Sequence, residues 1–244
     1  STDVARELSV RRLLAREVRS MARLHHPHIV IVLDSDVISE QAEVASRGRL
    51  VAGSLAIVME LGQGTLRGQM ADGDLTWPDV RRVVAQLLDA LAHAHARGVV
   101  HQDLKPENIL RFESDSGEIS YKLADFGIAQ LAGDPHTLWA GTPQIMAPEQ
   151  VAGRLLDVGP WTDLYALGCL VWELTTRLPV FPYRRVDRIL DAHCVTPPPR
   201  FEPRMRVPGG LEDWLRTLLA KAYSSRFLCA ADAALGFRQI ADAD

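Results

Sequence analysis

The sequence is poor in lysine and in cysteine. Its 27 basic residues include only three lysines, and the others are arginines. The three cysteines, Cys169, Cys194 and Cys229, are widely spaced and form no Cys-x-x-Cys pair. This pattern indicates neither a disulfide framework nor a zinc site, and it predicts a reducing, cytoplasmic environment.

Long apolar runs and a strong net charge are also missing. Uncharged runs such as 50–59 have about half of the roughly twenty residues that span a bilayer, so we expect no membrane span. The net charge of −4 comes from 31 acidic and 27 basic residues, which does not favour nucleic acid as a partner. The 244 residues are 47% hydrophobic and 24% charged, an ordinary globular composition that permits a large core.

The N-terminal quarter of the chain predicts one helix followed by two strands. Leu14, Val18 and Met21 recur at helical spacing and predict a helix over 5–24. Short runs of Val, Ile and Leu predict strands over 29–33 and 55–59, separated by a long polar connection.

The rest of the chain predicts a mainly helical body with one small hairpin. Thr76 and Asp79 form a capping box that begins a long helix, and Gly98 is its predicted stop. Two strand-like runs, 109–112 and 119–123, flank a polar turn and predict the hairpin. Further helices are predicted over 162–176, 183–193, 211–223 and 230–240. The sequence therefore predicts an α+β protein that is heavily helical toward the C-terminus.

The loop 101–108, His-Gln-Asp-Leu-Lys-Pro-Glu-Asn, concentrates three chemically distinct side chains. It supplies a carboxylate at Asp103, an ammonium at Lys105 and an amide at Asn108, on a loop between a predicted helix and a predicted strand. A hairpin returns its two ends to each other, so Asn108 and Asp125 are expected to converge. Their oxygens suit Mg²⁺, which prefers a few carboxylate or amide oxygens together with phosphate oxygens.

With these motifs the chain resembles the eukaryotic-like protein kinase superfamily, over nearly its whole length. Six features follow in the order of that family. They are Glu17 in a helix before His26-Pro27-His28, the segment Met59-Glu60-Leu61-Gly62, the loop 101–108, the Asp-Phe-Gly triplet 125–127, Ala147-Pro148-Glu149 after Gly141-Thr142-Pro143, and the pair Asp163 and Arg226. The Lys-Pro-Glu that follows the loop aspartate resembles the serine/threonine-directed form, so the resemblance implies a protein serine or threonine as acceptor.

The resemblance also implies catalytic and metal-binding roles. Asp103 would accept or orient the proton of the attacking hydroxyl, and Lys105 would neutralise charge on the transferred phosphoryl group. Asn108 and Asp125 would hold the Mg²⁺ ions that bridge the phosphates of ATP.

Further roles follow for the nucleotide pocket and for two structural residues. Glu17 is placed like the glutamate of the family's αC helix. Met59 is placed like the gatekeeper, and Glu60 and Gly62 like the hinge that holds adenine. The resemblance assigns structural roles to two polar residues, because Asp163 would brace the catalytic loop and Arg226 would pair with Glu149.

The family's glycine-rich loop and phosphate-pairing lysine have no counterpart here. Only sixteen residues precede Glu17, and none of them is lysine. Two interpretations remain open: an upstream segment of the natural protein is missing from the chain, or the chain is a degenerate kinase. Gln102 is a second departure, because many relatives have there an arginine that pairs with a phosphate on the activation segment. Neutral Gln102 cannot form this ion pair, so we expect control without phosphorylation of Thr137.

Five of the eight histidines form two groups, one of His25, His26 and His28 and one of His93 and His95. The first group lies at a predicted helix end. The second pair has i, i+2 spacing, which places the two side chains on different faces of a helix. We expect these to be loop and surface histidines, and we expect no metal site formed by them.

The sequence therefore predicts a two-lobed protein kinase-like fold. Residues 1–61 are expected to form a partial small lobe with the αC helix and two strands, and residues 62–244 a complete, mainly helical large lobe. The predicted function is Mg²⁺- and ATP-dependent phosphorylation of protein substrates, with a regulatory protein or chain that completes the small lobe as a further partner. The alternatives are a pseudokinase or regulatory binding module and, less favoured by the Ala-Pro-Glu segment, a small-molecule phosphotransferase.

Overall fold

The structure, a computed structural model, describes residues 24–47, 49–73, 75–126 and 142–241. Glu17 and the helix predicted around it lie outside the described residues. The same is true of Gly127 and of Thr137.

Two small antiparallel sheets occur in the described part of the chain. One has two strands and the other has three, in the order β3-β4-β5. The strands are β1 (Val32–Val37), β2 (Leu55–Met59), β3 (Gly64–Thr65), β4 (Ile109–Glu113) and β5 (Ile119–Leu123). The predicted hairpin is confirmed, with Ile109 opposite Leu123 and Glu113 opposite Ile119.

The first predicted strand is shifted along the chain. It was expected over 29–33, but β1 begins at Val32 and continues through the polar residues that follow. Ile29 instead forms an isolated bridge to Leu123 and is buried against the helical body. Pairing with β2 satisfies one edge of the β1 backbone, and exposure of this sheet lets β1 carry polar side chains. The long connection also contains a short helix, α1 (Glu40–Ala45), which is capped by the Ser39 hydroxyl.

Seven further helices are described. They are α2 (Leu66–Asp72), α3 (Trp77–His95), α4 (Pro148–Val151), α5 (Pro160–Thr176), α6 (Val186–Val195), α7 (Leu211–Leu218) and α8 (Ala230–Ala241). Within the four described ranges, no helix is both long and apolar enough to cross a bilayer.

Two predicted helix boundaries are wrong. The helix expected from residue 183 begins at Val186, after an extended cap residue, Arg185. The helix expected to reach residue 223 ends at Leu218. Beyond it, the carbonyl oxygens of Ala220 and Lys221 accept the Arg226 guanidinium at 2.7 and 3.2 Å. Helix α2 was not predicted at all.

Helices α3 and α5 form the centre of the helical body. The capping box of α3 is confirmed, since the Asp79 carboxylate accepts the Thr76 backbone N–H at 3.0 Å. Helix α5 is buried along nearly all of its length. It approaches α7 so closely that a Cβ on Gly168 would lie 2.9 Å from the Leu218 Cβ, so only glycine fits there without a shift.

A buried histidine in this body gives the stability of the protein a predictable pH dependence. His193 is fully buried, and its Nδ1 accepts the Tyr165 hydroxyl at 2.8 Å. Burial, and secondarily the positive charge of Lys221, lower the pKa of His193 from 6.5 to about 3. As the pH falls, His193 is protonated near pH 6.5 in the unfolded chain but only near pH 3 in the folded protein. The contribution of neutral His193 to the free energy of unfolding is therefore complete above pH 6.5 and is lost as the pH falls toward 3.

We expect His193→Asn to reduce the acid sensitivity of folding. The asparagine oxygen can still accept the Tyr165 hydroxyl, but it does not titrate. Between pH 7.5 and pH 5 the wild type should lose about 2 kcal/mol more unfolding free energy than the variant. Urea unfolding of both proteins at the two pH values measures this difference, and equal losses would contradict the assignment.

Candidate active site

Asp103 lies at the centre of a hydrogen-bonded group in the loop between α3 and β4. Its carboxylate Oδ2 accepts the Lys105 ammonium and, at 3.3 Å, the Asn108 amide. The same amide also donates to the Asp103 backbone oxygen at 3.0 Å. A proline-initiated 3₁₀ turn, Pro106–Asn108, brings the asparagine back toward the aspartate. The sequence motif thus folds into one local site containing Asp103, Lys105 and Asn108.

Thr142 adds a contact from a distant part of the chain. Its hydroxyl donates to the other Asp103 oxygen, Oδ1, at 3.1 Å. Both carboxylate oxygens of Asp103 are therefore held, while its side chain remains partly open to solvent, with 10% exposed. These bonds fix the orientation of the Asp103 carboxylate, which can act as a proton acceptor.

Asp163 supports the loop from below. This fully buried carboxylate, in the first turn of α5, accepts the backbone N–H groups of His101 and Gln102 at 2.8 and 2.7 Å. Gln102 has a positive φ of 68°, a left-handed conformation that is uncommon for a residue with a side chain. The two bonds to Asp163 hold the loop in this conformation just before Asp103.

His95 also binds this carboxylate, which corrects the expectation of a surface histidine. Its Nε2 donates to Asp163 Oδ2 at 2.8 Å, and its side chain is only 5% exposed. The i, i+2 argument excluded a shared face for His93 and His95, but it did not exclude burial. His95 reaches α5 because α3 packs directly against it.

Asp125 is brought to the loop by the β4–β5 hairpin. The Ala124 backbone N–H donates to the Asn108 carbonyl at 2.8 Å, and His101 Nε2 donates to the Ala124 carbonyl at 2.8 Å. The His101 ring also packs on the Phe126 ring with 4.6 Å between centroids. Asp125, between Ala124 and Phe126, adopts a positive φ of 59°. Asn108 and Asp125 thus flank the same pair of strand ends, as the hairpin argument predicted.

Met59, the last residue of β2, lies beside the same small pocket as Asp125. Met59 and Asp125 line one small pocket together with apolar residues of the 24–32 segment and Phe126. Gly62 follows closely, packed against β4. A Cβ on Gly62 would lie 3.0 Å from the Arg111 carbonyl oxygen, so a larger residue would force the chain away from the strand.

The Glu60 side chain does not line this pocket. Its carboxylate binds the Lys122 ammonium at 2.8 and 2.7 Å and accepts the Ile31 backbone N–H at 2.8 Å. Only the backbone of Glu60 is then left for a nucleotide. Lys122 is likewise occupied, and the other two lysines bind Asp103 and the Ala192 carbonyl. None of the three is placed as the family's phosphate-pairing lysine.

The residues present fit a magnesium ion bound together with phosphate. In the described part of the chain, Asp125 makes no side-chain hydrogen bond or ion pair, and Asn108 uses only its NH₂ group. The carboxylate of Asp125 and the side-chain carbonyl oxygen of Asn108 therefore remain available as metal ligands. No cluster of three or more acidic, histidine or cysteine ligands occurs in the described ranges. A two-residue site that relies on phosphate oxygens matches the preference of Mg²⁺.

The pair Glu149 and Arg226 is fully buried behind the site. Arg226 binds both carboxylate oxygens, at 2.8 and 3.0 Å, and the Thr162 hydroxyl donates to the same carboxylate at 2.8 Å. Both side chains of the pair are 0% exposed. The expected structural roles of Asp163 and Arg226 are therefore confirmed.

Three contributors were missed by the sequence analysis. Thr142 was read only as part of a motif, Lys122 was not assigned a partner, and Gln150 was not considered. The Gln150 side chain accepts the Ala147 backbone N–H and donates to the Gln102 carbonyl, both at 3.0 Å. Their partners are at least 39 residues away in sequence, or are backbone atoms, so no local pattern indicates them.

Comparison with known proteins identifies the class of this fold and site. The sequence profile of the protein kinase domain matches residues 3–233. The serine/threonine-protein kinase PknD of Mycobacterium tuberculosis is 36% identical over 231 residues, which cover 91% of this chain and 32% of PknD. PknF of the same species is 34% identical over 248 residues, covering 97% of this chain and 49% of PknF. The serine/threonine-protein kinase PkaA of Streptomyces coelicolor is 39% identical over 194 residues, covering 76% of this chain and 32% of PkaA.

The chain belongs to the protein kinase family, and these relatives are bacterial serine/threonine-protein kinases. The resemblance inferred from the motifs and the predicted fold class are both confirmed. The chain spans about a third to a half of the length of the curated relatives it matches.

Proposed function

We propose that this chain is the catalytic domain of a serine/threonine-protein kinase that transfers the γ-phosphoryl group of ATP to protein hydroxyl groups. The observation that carries the proposal is the ordered group around Asp103, with Lys105, Asn108 and Thr142 on its carboxylate and backbone. Such transfer depends mostly on positioning and electrostatics, which this group supplies without further covalent chemistry.

Each residue of the group has a role that its contacts support. Asp103 accepts or orients the proton of the substrate hydroxyl, and the Thr142 hydroxyl fixes the direction of its carboxylate. Lys105, which is 26% exposed, can reach the transferred phosphoryl group while it stays near Asp103. Asn108 and Asp125 would hold Mg²⁺, which when bound neutralises charge on the phosphates of ATP.

We assign the nucleotide base to the backbone of Glu60 and Gly62, beside Met59, and Glu17 to the family's αC position. The division into a partial small lobe, 1–61, and a large lobe, 62–244, is part of the same proposal. Leu33 and Val58 of the small two-stranded sheet are 65% and 53% exposed, which supports a regulatory protein or further chain that covers this sheet.

We also propose a cytoplasmic location, because all three cysteines are free.

A pseudokinase is the second candidate, and one observation favours it. Lys122 and Lys221 are held by Glu60 and by the helical body, and Lys105 belongs to the Asp103 group, so none of the three takes the place of the family's phosphate-pairing lysine. A pseudokinase would use the same fold to bind a partner without phosphoryl transfer. The two candidates differ in whether label from ATP reaches a protein substrate.

Transfer of label from [γ-³²P]ATP to a protein substrate, followed by phosphoamino-acid analysis, tests the proposal. We expect phosphoserine or phosphothreonine in the presence of Mg²⁺. Stoichiometric binding of a partner with no transfer by the natural full-length protein would favour the pseudokinase instead. Transfer to a small molecule but not to protein would favour a small-molecule phosphotransferase.

Substitution of Asp125 tests the metal assignment separately. Asp125→Ala removes the carboxylate that has no other partner in the described chain, so calorimetric titration should show Mg-ATP affinity reduced about 10-fold or more. Binding of ATP without Mg²⁺ should change little. The matched control is Asp115→Ala, because Asp115 is an exposed carboxylate at the tip of the same hairpin. Equal affinities of the wild type and Asp125→Ala for Mg-ATP would contradict the assignment.

A further inference from the structure

Lys122 connects the two sheets through a half-buried ion pair. It lies in β5, opposite Leu110 of β4, and its Nζ binds the two Glu60 oxygens at 2.8 and 2.7 Å. The side chains of Lys122 and Glu60 are 16% and 21% exposed. The ammonium also lies 4.6 Å from the centre of the Phe112 ring. The position of the ammonium is therefore fixed more tightly than in a surface pair.

Glu60 extends this connection to a third segment. Its Oε1 accepts the Ile31 backbone N–H at 2.8 Å, and its own backbone N–H donates to the Ile31 carbonyl at 3.1 Å. Ile31 directly precedes β1, and Glu60 directly follows β2, so this ring of bonds closes the end of the two-stranded sheet. One carboxylate therefore joins the start of β1, the end of β2 and strand β5.

The location of this pair relates it to the nucleotide pocket. Met59, immediately before Glu60, and Asp125, three residues after Lys122, line the same small pocket. Lys122 does not line that pocket, and its ammonium is already paired, so it is not placed to bind phosphate. The pair instead fixes the distance between the segment that follows Met59 and the strand that leads to Asp125.

We infer that Lys122 is a positioning residue for nucleotide binding, which acts by holding Glu60 and with it the backbone of residues 60–62. The inference rests on the proposed kinase function. Loss of the ammonium leaves the Glu60 carboxylate with one backbone donor in a partly buried place, and the segment can then move relative to Asp125. The Asp103 group is bonded independently of this pair, so the chemical step is not affected.

The test is a comparison of ATP kinetics for wild type and Lys122→Met. Methionine keeps the packing on Phe112 and removes the charge. We expect the KM for ATP and the calorimetric Kd of Mg-ATP to rise about 5- to 10-fold, with kcat changed less than about twofold, which is the pattern of lost binding without lost chemistry. Glu60→Gln, which keeps an acceptor for Ile31, should show the same split, and the double variant should be less than additive.

Arg111→Met provides the matched control. Arg111 lies in the neighbouring strand β4 and forms an ion pair with Glu113 that does not touch Glu60. This variant should have the KM and kcat of the wild type. An unchanged KM in both Lys122→Met and Glu60→Gln, or a fall in kcat at constant KM, overturns the inference and leaves the kinase proposal intact. Absence of both ATP binding and transfer in the wild type overturns the kinase proposal and, with it, this inference.

Discussion

Asp103→Asn is expected to lower the rate of phosphoryl transfer by about 10²- to 10⁴-fold, the usual contribution of a positioned acid–base group. The asparagine side chain has the same shape: its oxygen can accept the Lys105 ammonium, and its NH₂ group can donate to the Thr142 hydroxyl, which can also act as an acceptor. It cannot take up the proton of the attacking hydroxyl. The loss should therefore appear in the transfer step and not in nucleotide binding, because Asn108 and Asp125, the assigned metal ligands, are unchanged.

Single-turnover transfer from [γ-³²P]ATP, together with a Mg-ATP titration, separates these two effects. The variant should bind Mg-ATP within about twofold of the wild type and show an unchanged midpoint in thermal unfolding. Asp115→Asn, with the same chemical change on the exposed hairpin turn, is the control and should transfer at the wild-type rate. A rate for Asp103→Asn above about a tenth of the wild-type rate would remove Asp103 from its proposed role.

Much of the strand-and-helix pattern after residue 75 could be predicted because its signals are local. Helix α3 has a capping box and a repeated apolar face, and both persist in the structure. Strands β4 and β5 form a hairpin whose register follows from the short polar turn between them. From this hairpin alone, the approach of Asn108 to Asp125 follows, since strand ends that are paired must also be neighbours.

The boundaries that failed depend on tertiary contacts. Strand β1 was misplaced because its polar residues lie on an exposed sheet, where pairing with β2 satisfies one edge of the backbone whatever the side chains are. Helix α7 ends at Leu218, and the carbonyl groups of Ala220 and Lys221 beyond it bind the buried guanidinium of Arg226, a tertiary contact that no local pattern indicates. Burial of His95 likewise depends on the position of Asp163, which is 68 residues away.

The link between the catalytic loop and the segment after residue 141 was also beyond sequence reasoning. Neutral Gln102 cannot form an ion pair with a phosphate, as noted from the sequence. In the structure its carbonyl accepts the Gln150 amide at 3.0 Å, and Thr142 binds Asp103 at 3.1 Å. Two hydrogen bonds, neither of them an ion pair, therefore connect the segment to the loop. Control without a phosphate near Gln102 stays a prediction.

Arg226→Met is expected to produce the largest loss of stability among these variants. All five N–H donors of the Arg226 guanidinium are used: two bind Glu149, and three bind the carbonyl oxygens of Trp161, Ala220 and Lys221. Removing the guanidinium leaves the Glu149 carboxylate buried, with the Thr162 hydroxyl as its one side-chain donor among the described residues. Breaking a buried ion pair in this way costs about 3–5 kcal/mol, which is a large fraction of the stability of an ordinary domain.

Urea unfolding measures the loss, with the slope of the transition as a check that the unfolded state has not changed. Arg185→Met is the matched control, because Arg185 and Asp187 form an equally close pair whose side chains are 75% and 56% exposed. That variant should lose no more than about 1 kcal/mol. Adding Glu149→Gln to Arg226→Met removes the unpaired charge, so the double variant should be more stable than the sum of the single losses predicts. Equal losses of stability for Arg226→Met and Arg185→Met would contradict this prediction. They would mean that the buried Arg226–Glu149 pair stabilises the protein no more than the exposed Arg185–Asp187 pair does.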